Sequence, residues 1–408
     1  ILYVANDGSL MTNSTGTVNV LVYFTPTGAE TGTVVAVVPV TVRPERTINS
    51  MVIDKASDVI STEAGNGFNE TTFTITLKDQ LGDKIAGDIE ISSNLKALPN
   101  GATAAPIVSA VEGENGVYTV KVTGSAENLP NGATGYAYTF TAKAGNLSKT
   151  FSVTVKKPSF DKDGNLVITG YKIEFSGDDD LKTTNDAAKT AKATLYLLSN
   201  GVKAGVANLH KRLPSITNMT AGNYYYTVSK GGKNLDLASD NTDTIEIPLT
   251  SISSVEVNGV STNVVDKTQN GTGTYNVVIY KAIGNSTGSA SASALSQVSR
   301  GTLTVKDSQD TLSYAGKSSN TFASMNGDVE ELVKSCFKFK LGNTVLDDAS
   351  DYANIKVSVN ANKVEDGGVL KAGSVCFVKS VDFYVETAQG SGTYVKYTAT
   401  VNDYVEIK

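Results

Sequence analysis

Apolar and polar residues alternate with a period of two along residues 71–78. Phe73, Ile75 and Leu77 occupy every second position, and threonine or lysine fills the positions between them. Successive side chains of a β-strand point to opposite faces of its sheet, so this pattern predicts a strand with one face on a core and the other in water. The pattern recurs through residues 46–155 with turn signals between the segments, which predicts an antiparallel β-sandwich.

The length of the chain, 408 residues, exceeds what one sandwich needs. Segments with proline at 43–46 and 156–158 interrupt the alternation and predict linkers, because proline ends strand pairing. We expect four parts: the C-terminal part of a truncated sandwich domain at 1–44, two sandwich domains at 45–157 and 158–250, and a divergent β-rich end domain at 251–408.

One short helix is predicted in the end domain. Residues 326–334 place Asp328 at an N-cap position, acids in the first turn and Lys334 near the end. The fold class expected from the whole pattern is all-β, with sandwich domains in tandem and one short helix in the last of them.

A Gly-X-Tyr sequence occurs at four places, which begin at Gly116, Gly222, Gly273 and Gly392. We expect each glycine to form a tight turn, and each tyrosine to enter the next strand with a buried ring and a hydroxyl that bonds back. At Tyr224–Tyr226 the alternation predicts that the three rings divide between the core and the surface.

Charge and hydropathy exclude two classes of partner. The formal net charge is −6, and no cluster of lysine and arginine suits a phosphate backbone, so we expect no nucleic-acid partner. The longest apolar run, residues 34–42, is interrupted by Pro39 and is far shorter than the ~20 residues that span a bilayer. We therefore expect no membrane span.

The sequence offers little for catalysis. His210 is the only histidine. Residues 284–288 match the letters of the G-x-S-x-G nucleophile elbow, but that elbow needs a strand-to-helix turn in an α/β sheet, and this segment lies in a loop rich in Gly, Ser and Ala. Tryptophan is absent, so pairs of acids lack the aromatic platforms of sugar clefts. We expect no catalytic and no cofactor-binding residues, and hence no enzyme.

Clusters of acids are candidate calcium sites. Calcium favours several oxygen ligands from loops, and adjacent carboxylates repel one another unless a cation or solvent relieves them. The candidate ligands are a first group of Asp178, Asp179, Asp180 and Asp186 and a second group of Asp240 and Asp243. A solvated loop without a metal ion is the alternative for each group.

The two cysteines, Cys336 and Cys376, are compatible with a disulfide and equally with two free thiols. A bridge between them would close a loop of ~40 residues and add about 4 kcal/mol of stability. Strand alternation places Cys336 on the face of Lys338, opposite Phe337, and so predicts that it lies away from the core.

Three segments carry a resemblance to a known family: residues 77–85, 118–122 and 151–155. Together they resemble bacterial Ig-like domains, and their tandem arrangement resembles the assembly region of Gram-positive surface-layer (S-layer) proteins. The end domain, with its helix near Glu330 and the stretch 346–352, is similar to the divergent end domains of bacillar S-layer proteins.

The resemblance implies tandem Ig-like sandwiches in a secreted structural protein of the cell wall surface, which assembles with copies of itself into a two-dimensional lattice. It also implies a cell-wall polymer as a partner, bound through a region outside this chain, and calcium, which S-layer relatives commonly need for assembly. The alternative function is a cell-surface adhesin or phage-type fibre with a ligand-binding tip. Accessory modules of a carbohydrate-active enzyme are a third.

Overall fold

The structure, a computed structural model, confirms the predicted fold class: its described residues form β-strands and one α-helix. It describes residues 2–4, 10–12, 15–24, 27, 32–42, 45–63, 65–93, 107–110, 115–183, 188–212, 218–267, 270–287, 294–323, 328–347, 349–363, 365–366 and 369–408. The chain divides into two compact units, unit 1 with residues 1–167 and 199–204 and unit 2 with residues 168–198 and 205–408. No described helix has the length and apolar character that crossing a bilayer requires.

The first twelve strands lie in unit 1. They are β1 Leu2–Val4, β2 Leu10–Thr12, β3 Gly16–Phe24, β4 Thr33–Val42, β5 Ile48–Ile53, β6 Ser57–Ser61, β7 Glu70–Asp79, β8 Glu90–Ser93, β9 Ile107–Ala110, β10 Val117–Thr123, β11 Gly135–Ala144 and β12 Leu147–Lys156. Single 3₁₀ turns occur at Gly65–Gly67 and Ala126–Asn128.

Strands β5 to β12 form a sandwich of two four-stranded sheets. One sheet has the order β5-β7-β10-β9 and the other β6-β12-β11-β8. Strand β6 pairs with β12 in parallel, whereas the other pairings are antiparallel. The sandwich predicted from residues 46–155 is therefore present, built as two facing sheets.

The alternation along β7 is also confirmed. Phe73, Ile75 and Leu77 are 0% exposed, and the residues between them are partly or fully exposed. Phe140 and Phe151 come from the opposite sheet, and their rings stack with centroids 5.2 Å apart. Phe73 and Phe151 meet across the two sheets with ring centroids 4.4 Å apart. The core thus consists of aromatic and aliphatic side chains from both inner faces.

The other elements follow in chain order. The strands are β13 Gly170–Gly177, β14 Thr190–Ser199, β15 Val202–Val206, β16 Leu209–Lys211, β17 Asn218–Met219, β18 Tyr224–Lys230, β19 Lys233–Asn234, β20 Ile245–Pro248, β21 Ser251–Val257, β22 Val260–Asp266, β23 Gly273–Ala282, β24 Ser286–Thr287, β25 Leu295–Val305, β26 Leu312–Lys317, β27 Thr321–Phe322, β28 Phe337–Leu341, β29 Thr344–Leu346, β30 Ile355–Asn362, β31 Glu365–Asp366, β32 Val369–Leu370, β33 Val375–Glu386 and β34 Thr393–Ile407. The α-helix, α1, is Val329–Cys336, and a 3₁₀ helix spans Ala349–Tyr352.

Unit 2 contains a second core that continues past residue 250. In one sheet β13 and β20 both pair with β14, and in the other β18, β23 and β25 are neighbours. Leu195 and Ile245 from the first sheet pack with Tyr226, Val277 and other side chains of the second sheet. Strands β21 and β22 leave this core to join another sheet, and β23 returns to it.

A third core lies between helix α1 and two further sheets. The larger sheet has the order β21-β22-β34-β33-β30, and the smaller has the order β26-β28-β29. The predicted helix cap is confirmed: the Asp328 carboxylate accepts hydrogen bonds from the backbone N–H groups of Glu330 and Glu331, at 2.8 and 3.1 Å. Leu332 and Val333 then face the core, so that the helix covers one part of it.

The Gly-X-Tyr prediction is confirmed in part: the rings of Tyr224 and Tyr275 are buried, whereas those of Tyr118 and Tyr394 are only partly buried. All four glycines have positive φ, between 68° and 134°. The Tyr275 ring is fully buried, and its hydroxyl donates to the Gly271 carbonyl oxygen four residues earlier. The prediction for Tyr224–Tyr226 is wrong, because all three rings are buried. Met219 and Ala282 pack against Tyr225 and cover the face that the alternation alone assigned to solvent.

Candidate functional site

Asp179 and Asp180 lie against a linker that is distant in sequence. This linker, residues 306–311, connects β25 to β26, and we call it the junction linker. Lys306 N–H donates to the Asp179 carbonyl oxygen at 3.0 Å, and Leu181 N–H donates to the Lys306 carbonyl oxygen at 2.9 Å. Leu181 is only 1% exposed and belongs to the second core, so these bonds fasten the start of the linker to that core.

The Asp180 carboxylate holds the next part of the junction linker. It accepts the Ser308 N–H at 2.9 Å, the Ser308 hydroxyl at 2.5 Å and the Lys182 N–H at 3.0 Å. Bonds from the Ser308 hydroxyl, the Ser308 N–H and the Lys182 N–H, in that order of size, lower the pKa of Asp180 from 3.8 to about 2. The carboxylate therefore stays ionised at neutral pH and acts as an acceptor for the linker.

Gln309 connects the two cores through its side-chain amide. Its Oε1 accepts the N–H of Thr183, a buried residue, at 2.9 Å, and its Nε2 donates to the Tyr397 hydroxyl at 2.5 Å. Thr183 follows Leu181 of the second core, whereas Tyr397 lies in β34 and packs against the third core. One uncharged side chain thus fixes the position of both neighbours relative to the linker.

A second acid of the junction linker is paired as well. The Lys267 ammonium donates to both carboxylate oxygens of Asp307, at 2.8 and 3.0 Å, and Gln309 N–H donates to Asp307 Oδ1 at 3.0 Å. The turn after β28 adds a further bond, from Gly342 N–H to the Thr311 carbonyl oxygen at 2.9 Å. Hydrogen bonds therefore hold the linker from Lys306 to Gln309 and again at Thr311.

The other predicted metal ligands are placed separately. Asp178 accepts the Thr190 N–H at 2.9 Å and lies 3.2 Å from the Lys189 ammonium. Asp240 accepts the Lys211 N–H at 2.7 Å, and Asp243 lies 3.4 Å from the Asn208 side-chain amide. Asp186 lies outside the described residues. Within the described part of the chain no three His, Cys, Asp or Glu side chains form a group that would hold a metal ion, and calcium at these acids stays a prediction.

The two residues considered for catalysis, His210 and Ser286, lie in different strands, β16 and β24. Asp240 Oδ1 lies 4.0 Å from Nδ1 of His210, and Asn223 Nδ2 lies 3.5 Å from its Nε2. Neither neighbour carries the hydroxyl or thiol that a histidine base activates in a hydrolytic triad. Ser286 lies in the two-residue strand β24, which pairs with β17, instead of on a turn into a helix. The G-x-S-x-G sequence therefore does not form the strand-to-helix turn of a nucleophile elbow at Ser286.

Both cysteines are free and buried. The prediction that Cys336 lies away from the core is wrong, because Cys336 is the last residue of α1 and not part of the strand that begins at Phe337. Its thiol lies 3.6 Å from the Thr321 carbonyl oxygen. Burial raises the pKa of both thiols, which disfavours the reactive thiolate.

Ser308, Gln309 and Tyr397 were missed by the sequence analysis. The signal was present as a polar run, residues 306–311, between two segments with strand alternation. That run separates β25 from β26 within the end domain predicted at 251–408. Its partner Asp180 lies 128 positions away from Ser308, and no local pattern reports a contact at that separation.

Comparisons with known proteins find structural likeness at low identity. No family model matches the chain, and no curated protein matches it. The solved structure of surface layer protein SbsC, domains 4-9, is 18% identical, covers 98% of this chain and has a TM-score of 0.45. This chain covers 56% of that structure's length.

Two further matches are more distant in shape. The structure of S-layer protein SbsC, domains 5-6, is 17% identical over 64% of this chain and 99% of its own, with a TM-score of 0.32. The titin I-band fragment I67-I69 is 10% identical over 89% of this chain and 100% of its own, with a TM-score of 0.19. At these identities and TM-scores the likenesses assign neither a family nor a function.

Proposed function

We propose that this chain is a non-enzymatic structural protein of a bacterial surface layer, located outside the cell at the cell wall. In this proposal copies of the chain associate through lateral and domain–domain contacts into a two-dimensional lattice. A region outside this chain binds the cell-wall polymer. The proposal includes calcium ions bound by the candidate ligands Asp178, Asp179, Asp180, Asp186, Asp240 and Asp243.

The observation that carries the proposal is the junction linker. A lattice needs successive sandwiches at fixed spacing and orientation, and a free polar linker of this length would act as a flexible hinge. Gln309, Asp180 and Lys267 instead hold the linker to its neighbours. The resemblance of residues 77–85, 118–122 and 151–155 to bacterial Ig-like domains supports the same proposal from the sequence.

Electron microscopy of the purified chain tests the proposal. The chain is dialysed into buffer with calcium chloride and, in parallel, into buffer with a calcium chelator, and both samples are negatively stained. Ordered two-dimensional sheets are the expected result, and sheets in calcium alone would support the calcium prediction. Monodisperse rods under both conditions would contradict the lattice and favour the adhesin or fibre alternative.

A further inference from the structure

A second linker is held by a loop within unit 1. Residues 45–47 precede β5, and the loop formed by residues 79–84 follows β7. The Gln80 side-chain amide accepts the Thr47 N–H at 3.0 Å and donates to the Glu45 carbonyl oxygen at 2.7 Å. Arg46 Nε donates to Asp79 Oδ2 at 2.6 Å. Three consecutive linker residues are thus bonded to two consecutive loop residues.

The Asp79 carboxylate is buried and positioned to pair with a cation. Its carboxylate is 0% exposed, and its Oδ1 accepts the N–H groups of Leu81 and Asp83 at 2.9 and 3.0 Å. Burial works to raise the pKa of Asp79, but the bonds from Arg46, Leu81 and Asp83 outweigh it and lower that pKa. Loop bonds therefore orient Oδ1, while Oδ2 points to the linker, where an unpaired buried charge would be unfavourable.

The geometry favours arginine over lysine at the linker position. The Arg46 guanidinium reaches two acceptors, Asp79 Oδ2 through Nε and the Lys84 carbonyl oxygen through Nη2 at 2.5 Å. A planar fork of donors makes both bonds at once, and a lysine ammonium is a point charge on a flexible stem. The loop thus distinguishes one basic side chain from the other.

Other turns after core strands bond to linkers in the same way. Asn200, directly after β14, donates from its side-chain amide to the Lys157 carbonyl oxygen at 3.1 Å. Gly342, directly after β28, donates to the Thr311 carbonyl oxygen at 2.9 Å. In all three turns a residue that follows a core strand donates a hydrogen bond to a carbonyl oxygen of a linker.

We propose that loop 79–84 is a binding site for an extended, arginine-bearing peptide segment, and that residues 45–47 of the same chain occupy it. Occupation fixes the direction in which the chain enters the first sandwich. The proposal concerns an intramolecular site and holds whether or not the chain forms a surface layer.

Limited trypsinolysis of the full chain tests this site. Trypsin does not cut before proline, so Arg46–Thr47 is the one tryptic bond between Arg43 and Lys55. Cleavage requires the Arg46 side chain to leave Asp79 and enter the protease. The D79N variant keeps the cleavable bond and removes the carboxylate charge, and we expect it to raise the cleavage rate at Arg46–Thr47 by about tenfold.

Two further variants make the result decisive. Asp88 is exposed and takes no part in the bonds described above, so D88N makes the same change of charge and should leave the cleavage rate as in the unmodified chain. Gln80 is also exposed, so Q80A removes two linker bonds without touching the core, and we expect about a threefold rise. If D79N does not fold, the cleavage rate of Q80A alone tests the proposal. Unchanged cleavage in Q80A and folded D79N, or equal acceleration in D88N, would overturn the proposal.

Discussion

Replacement of Gln309 by alanine should destabilise unit 2 measurably. Thr183 is 4% exposed, so its N–H would lose the Gln309 Oε1 acceptor in a place that water hardly reaches. An unsatisfied buried donor costs about 1–3 kcal/mol, and loss of the bond to the Tyr397 hydroxyl adds about 0.5–1.5 kcal/mol. The free energy of unfolding should therefore fall by about 2–4 kcal/mol, which in a body of this size lowers Tm by roughly 4–16 °C.

Differential scanning calorimetry of the full chain measures the change in Tm. Gln297 offers a matched control, because it is an exposed glutamine of β25, and Gln297→Ala should change stability by less than about 0.5 kcal/mol. Hydrogen exchange adds a local measurement, since the Thr183 amide should exchange faster in Gln309→Ala. Equal Tm values for the two variants, together with unchanged exchange at Thr183, would refute the assignment of Gln309 as a connector.

Three further predictions concern charge, thiols and packing. The pKa of Asp180 is lowered from 3.8 to about 2, so its stabilising effect is complete above pH 3.8 and is lost as the pH falls towards 2; Tm measured against pH should drop less steeply in Asp180→Asn. Ellman's reagent should titrate two thiols, Cys336 and Cys376, in non-reducing denaturant and react far more slowly with the folded chain, whereas a disulfide would give none. Phe73→Ala should cost about 3–5 kcal/mol in urea denaturation, because the ring is fully buried between two sheets, and a loss below about 1 kcal/mol would contradict this placement.

Local patterns predicted the parts of the fold that depend on neighbours in sequence. The period-two alternation around Ile75 identified the strand and its buried face, because successive side chains of a strand point to opposite faces of the sheet. Asp328 identified the helix start, because a carboxylate two or three positions before free N–H groups caps them. Gly273, two residues before Tyr275, begins β23 with a φ of 134°, a backbone conformation that glycine adopts readily.

These local patterns could not predict contacts between residues that are distant in sequence. The burial of Tyr225 depends on Met219 and on Ala282, which arrives from another strand. Cys336 was assigned to a face by extending the strand pattern backwards across a helix end. Asp180 was a candidate calcium ligand with a solvated loop as the alternative, and in the structure its carboxylate accepts two hydrogen bonds from Ser308. In each case the missing information was which distant segment covers the residue.

The junction linker changes where sensitivity to mutation is expected in this chain. Substitutions of polar surface residues usually change stability by less than about 0.5 kcal/mol. Residues 306–311 have the composition of such a surface, yet Ser308 and Gln309 connect groups whose positions are fixed by two different cores. A linker that is bonded on both sides passes the position of one core to the next, and a linker without those bonds leaves the cores to rotate. Ser308 and Gln309 therefore contribute to how these two cores are held, although neither side chain belongs to a core.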